Sequence, residues 1–181
     1  MRRRPLLGLL AVAGLLGIVT TLNAWHGTDA AAGQRGFESG GVGLTRAEWE
    51  AIHGGGEVCQ DSVTYGGRYV VQFAGDAVSF IELGWEERAG GGVATDAARA
   101  EVEALLPDDA DRVETFFAPP TLGGPVGLTV ERYQSDGLPD RYPSTQSSPS
   151  GGIAVIYQET GRVEPVVTRA SIAVGREVGE P

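Results

Sequence analysis

The chain has 181 residues, and its fourteen basic residues, all arginine, stand against twenty-four acidic ones for a formal net charge of −10 at pH 7. With Arg2, Arg3 and Arg4 at the N-terminus set aside, eleven cations face twenty-four carboxylates. That balance excludes nucleic acid as a partner, because phosphate binding needs a cationic face that releases counterions. A lone cysteine, Cys59, excludes an intramolecular disulfide, and its plain reading is a small apolar side chain inside the core.

The three arginines and Pro5 precede an uncharged run from Leu6 to Leu22, which Asn23, Ala24 and Trp25 carry toward an interface. About 20 apolar residues span a bilayer, whereas a secretory apolar region runs about 7 to 15, so the length favours a retained anchor over a cleaved signal. Residues 1–25 are therefore expected to form a transmembrane anchor or signal helix, touching the membrane through residues 6–25. The arginines hold the N-terminus inside and Trp25 suits an aromatic belt, which puts the C-terminal domain outside the cell membrane. Secretion is the alternative, with cleavage near Ala24 or after Ala30, Ala31 and Ala32. No cysteine follows the apolar run, so a lipoprotein anchor is excluded.

Residues 26–43 are small and polar with one aromatic, Phe37, and read as a flexible linker. The extracytoplasmic domain is expected over 44–178. It opens on Leu44-Thr45-Arg46-Ala47-Glu48-Trp49, in which Thr45 and Glu48 form a capping box and Leu44 and Trp49 occupy the staple positions around it. This helix should stop at Gly54-Gly55-Gly56. Residues Arg68 to Phe73 and Val78 to Leu83 alternate about a Gly75-Asp76 turn and predict a hairpin, with Ile81 and Leu83 on one face and Val78 and Phe80 on the other. Trp85 is expected to close its edge.

Thr95 is placed to cap a second helix carrying Ala98, Val102, Leu105 and Leu106, which Pro107 ends. Strands are predicted around 113–117, 126–133, 153–157 and 166–174. The intervening stretch from Ser135 to Gly152 reads as a long polar loop and a candidate contact surface. Alternation points to antiparallel sheet with helices on one face, so the expected fold class is α+β: a helix and hairpin, then a helix and a larger antiparallel sheet. The order helix then strands occurs twice and is open to a reading as two diverged halves, 44–88 and 93–175.

The segment from Thr45 to Gly54 followed by a hairpin resembles the opening of small bacterial envelope modules of the β-lactamase-inhibitor-protein and outer-membrane-assembly lipoprotein type. The resemblance covers about fifteen residues and an element order. It implies a capped helix before antiparallel strands, and action by protein binding. The chain departs from those modules in lacking paired cysteines, an anchoring cysteine and a second helix directly after the glycines, so no binding residue is carried over.

Chemistry has few candidates. His26 and His53 are the only histidines, and His26 lies in the linker, so a thiol mechanism would rest on His53 with Cys59. His53 at a helix C-terminus is already explained by the dipole. Asp108, Asp109 and Asp111, or Asp136 and Asp140, could offer oxygens to a hard cation but lack the EF-hand spacing. Tyr133, Tyr142, Trp85, Phe116 and Phe117 could form a binding face, though at strand spacing they read first as core or sheet cover. No catalytic, cofactor-binding or metal residue is assigned and no cofactor is expected. The chain reads as a membrane-tethered extracytoplasmic module that binds an envelope or membrane protein. A small envelope enzyme or thiol-dependent factor centred on His53 and Cys59 is the second reading.

Overall fold

Thr45 starts the first helix as its sequence requires. In the computed structural model, which describes residues 37–85, 91–118, 127–142, 150–161 and 165–175, the Glu48 amide donates to the Thr45 hydroxyl at 3.2 Å. The Thr45 amide donates back to the Glu48 carboxylate at 2.7 Å. Helix α1 runs from Arg46 to His53 and ends where Gly54 adopts φ +81°, a conformation that carries little cost only without a Cβ. Leu44 and Trp49 are both buried beside the cap.

Four strands follow: β1 (Glu57–Cys59), β2 (Ser62–Tyr65), β3 (Tyr69–Ala74) and β4 (Ala77–Gly84). The short β5 (Val93–Ala94) leads into helix α2 (Thr95–Glu103), and then come β6 (Asp111–Ala118), β7 (Gly127–Gln134), β8 (Gly152–Thr160) and β9 (Val166–Val174). All nine belong to one antiparallel sheet in the order β1-β2-β3-β4-β9-β8-β7-β6, with β5 also pairing with β9.

This corrects the expected α+β class. The fold is sheet-dominated: the hairpin and the second group of strands are not separate layers, because β4 pairs directly with β9 and makes one surface of both. The helices, of 8 and 9 residues, are short covers on it. Local alternation marks β3, β4 and β6 to β9 but misses the short β1, β2 and β5, and it carries no information on which distant strand completes a ladder. Among the described residues no helix is long and apolar enough to cross a membrane, and the helix expected over 1–25 lies outside those residues.

The two helices share one face of the sheet. Across that face the register aligns Val63, Val71, Ile81, Ile172, Val155 and Glu131 in a single row, every member of it buried. Burying a side chain such as Ile81 contributes about 1.5–3 kcal/mol. Trp49 of α1 sits on the rings of Tyr65 and Tyr69, each 5.7 Å away between centroids, and α2 buries Ala98 and Val102.

Several local expectations change. A bulge pairs Gln72 with Phe80 but Phe73 with Val78, leaving Ser79 extra, so Val78 turns into the core instead of sharing Phe80's face. Thr95 does not cap α2: Ala94 holds the cap position without a side-chain bond. Trp85 is no edge cover but is buried, its indole donating to Glu101 at 2.9 Å. The end of the expected linker also belongs to the fold. Val42 is buried and its amide donates to the Leu105 carbonyl at 2.9 Å, while a Cβ on Gly40 would collide with the Ala104 carbonyl oxygen.

Candidate functional site

His53 and Cys59 are placed on different structural errands. The His53 ring stacks on Trp49 with centroids 4.0 Å apart, and its Nε2 lies 3.3 Å from the Gly40 carbonyl oxygen, which can only accept. Cys59 lies on β1, the outermost strand, opposite Ser62. The thiol-bearing residue is exposed, which corrects the expectation of a buried one.

Of the candidate aspartates, Asp109 has structural partners. Asp109 accepts from the Ser135 hydroxyl at 2.6 Å and from the Gly137 amide at 2.8 Å. Burial pushes its pKa up, but these bonds outweigh it and hold the carboxyl below the ordinary range. No group of three or more His, Cys, Asp or Glu among the described residues is gathered closely enough to hold a metal ion.

The staple at Asp109 orders the first part of the supposed contact loop. A 3-10 helix at Leu138–Arg141 follows it, with Leu138 buried, and the Tyr142 hydroxyl donates to the Val78 carbonyl at 2.5 Å. Arg141 donates to the Gly43 carbonyl at 2.8 Å and to Glu48 at 2.5 Å, joining this turn to the α1 cap. Residues 143–149 lie outside the described residues.

The unexpected feature is Glu131 on β7, a carboxylate with no exposed surface. Arg99 of α2 places Nε 3.0 Å and Nη2 2.9 Å from its Oε1, and Arg112 of β6 places Nη1 3.3 Å from the same oxygen. The other oxygen accepts from the hydroxyls of Tyr133 at 2.7 Å and Tyr157 at 3.4 Å. Burial first, then the neighbouring carboxylate, pushes both phenols well above their usual range, so they remain donors. Burial pulls the Arg99 pKa down, but Glu131 outweighs it and raises it. Both carboxylate oxygens are engaged by protein donors, so this hub locks α2 onto the sheet. Arg112 and Tyr133 also border an open cleft of about 330 Å³ that Glu103, Leu106 and Asp108 complete.

Glu131 escaped sequence reasoning because alternation in β7 favours Leu128 and Val130 as the core residues. The structure inverts that face: Glu131 and Tyr133 are inside, and Leu128, Val130 and Arg132 lie half-buried on the other side.

Among the described residues, neither helix packs on that other side. The register sets Val70, Glu82, Ser171, Ile156, Val130 and Phe116 in one row, and Gln72, Phe80, Ala173, Ala154, Arg132 and Glu114 in the next. Two charge pairs lie within the surface, Arg169 with Glu82 at 3.6 Å and Arg132 with Glu114 at 3.1 Å, and Glu57 extends the first row at the β1 end. The Arg132 guanidinium also lies 5.7 Å from the Phe116 ring centroid. An apolar band whose central charges are paired suits protein docking, since those charges need not be desolvated alone. Of the expected aromatic face, Tyr133, Tyr142 and Trp85 are core, while Phe116 and Phe117 are exposed. Compared with protein-family models, curated proteins and solved structures, the chain matches none.

Proposed function

We propose that the chain is a non-enzymatic, extracytoplasmic binding module, brought to the cell membrane by its N-terminal apolar segment, that holds an envelope or membrane protein on the open face of its sheet. The observation that carries this reading is the half-buried to exposed surface of Val70, Phe80, Ile156, Val130 and Phe116, which no helix among the described residues covers, opposite the face that both helices occupy. Tethering or export rests on Arg2, Arg3 and Arg4 before the run from Leu6 to Leu22.

Photo-cross-linking in the producing cells tests it. A photoreactive phenylalanine at Ile156 or Phe80 is expected to give a discrete adduct with a membrane-fraction protein, and one at Asp96, on the exposed side of α2, is expected to give none. Adding Val130→Arg, at a half-buried position of that face, should abolish the adduct in a variant that keeps its circular dichroism. Equal adducts from both faces, or an adduct indifferent to Val130→Arg, would reject the sheet face. Cys59→Ser is expected to leave adduct yield unchanged, and a loss would transfer weight to a thiol-dependent activity.

A further inference from the structure

Strand β6 ends the sheet, and among the described residues its outer hydrogen-bonding edge has no partner. An unprotected edge is a template for another strand. Here it is also apolar: three of the five large hydrophobic side chains exposed among the described residues, Val113 (64%), Phe116 (41%) and Phe117 (58%), lie on β6, the others being Ile52 on α1 and Val58 on β1. Phe116 belongs to the open face, in register with Val130, and Phe117 to the helix face, in register with Thr129.

We infer that β6 pairs with β6 of a second copy, antiparallel, about a twofold axis passing through Phe116. Only an axis normal to the sheet reverses the strand while bringing edge to edge, and it keeps like faces together, so the axis must pass through a residue. An axis at Glu114 sets two carboxylates against each other, and one at Thr115 sets Glu114 against an aromatic ring. The axis at Phe116 sets Phe116 against its own copy, Thr115 against Phe117 and Glu114 against Ala118, with no like charges opposed. It also leaves the Arg132–Glu114 pair intact.

The window is bounded on both sides. The bulge between Arg112 and Glu114 interrupts the ladder at one end, and Pro119 and Pro120 supply no amide at the other. Five residues, 114–118, remain. A ladder that short falls in the weak, transient class of interface. Dimerisation would make one open face continuous with the other.

A cysteine scan of the full chain locates the axis. In a Cys59→Ser background, single cysteines at 113 to 118 are oxidised in membranes of producing cells and read as dimer on non-reducing gels. Directly opposed antiparallel residues lie about 4.5–5.5 Å apart, inside disulfide reach. Identical residues one position from the axis are offset by a further ~7 Å along the strands. Phe116→Cys should therefore cross-link at least tenfold faster than Thr115→Cys or Phe117→Cys. A flat profile, a maximum elsewhere on β6, or no dimer above the background would overturn the proposal. Phe116→Asp, which opposes two carboxylates at the axis, should weaken self-association of the detergent-solubilised full chain at least tenfold by sedimentation equilibrium. No weakening in a variant that retains its circular dichroism would count equally against it.

Discussion

Replacing Glu131 by Gln removes one charge from the centre of the molecule while changing its shape very little. The carboxylate is fully buried and accepts from four side chains. The amide supplies only one accepting oxygen, so either the two arginines or the two phenols must confront an NH2 group. Removing one partner of a buried ion pair costs about 3–5 kcal/mol. Arg99 and Arg112 are 29% and 47% exposed, and rotation toward water recovers part of that, so the expected loss is about 2–3 kcal/mol. For a domain of this size that lowers the thermal midpoint by about 4–12 °C. Urea unfolding followed by tryptophan fluorescence measures it, since Trp49 and Trp85 are both buried. Arg99→Gln should cost more than Arg112→Gln, because Arg99 brings two nitrogens to the carboxylate and is the less exposed. A loss below about 0.5 kcal/mol for Glu131→Gln, the range of surface substitutions, would refute the assignment of Glu131 as the anchor of α2.

Two further outcomes concern the opening of the fold. Thr45→Ala deletes the cap hydroxyl that the Glu48 amide uses and should destabilise the domain by about 1 kcal/mol in the same urea titration. Stability should also fall on acidification. Burial raises the Glu48 pKa, but the Thr45 amide and hydroxyl and Arg141 outweigh it and hold the carboxyl low, as the loop bonds do for Asp109. A depressed folded-state pKa contributes stability that is complete above the ordinary carboxyl range and is lost as pH drops through the folded value. The urea midpoint should therefore decline below about pH 4, and Thr45→Ala should flatten the decline, because it returns Glu48 toward its ordinary value.

Where sequence reasoning succeeded, the signal was local. The Thr45–Glu48 box, the glycine stop at Gly54 and the turn at Gly75-Asp76 each depend on residues within a few positions of one another, and all three stand in the structure. Six of the nine strands, β3, β4 and β6 to β9, were also legible from their alternation, whereas β1, β2 and β5, of two to four residues, are too short to show one. Alternation alone does not say which face is covered, and β7 shows the consequence, with Leu128 and Val130 outside and Glu131 inside. A buried glutamate is readable only once Arg99 and Arg112, 32 and 19 residues away in sequence, are known to converge on it. The β4–β9 seam was hidden for the same reason: nothing near Ile81 indicates Ile172. Phe116 and Phe117 read as ordinary core until the strand order leaves them at the rim.

That seam also sets an order of events. The strand that unites the sheet, β9, follows the other eight described strands along the chain, so β1 to β4 and β6 to β8 must wait for it as two incomplete sheets, each with a bare edge. Pairings between residues so distant in sequence form slowly because the intervening chain must first be closed into a loop. Loss of residues 166–174 would therefore cost more than one strand. It would leave two sticky fragments where the intact domain makes a single sheet, and a nascent or proteolysed molecule would be at its most aggregation-prone just short of β9.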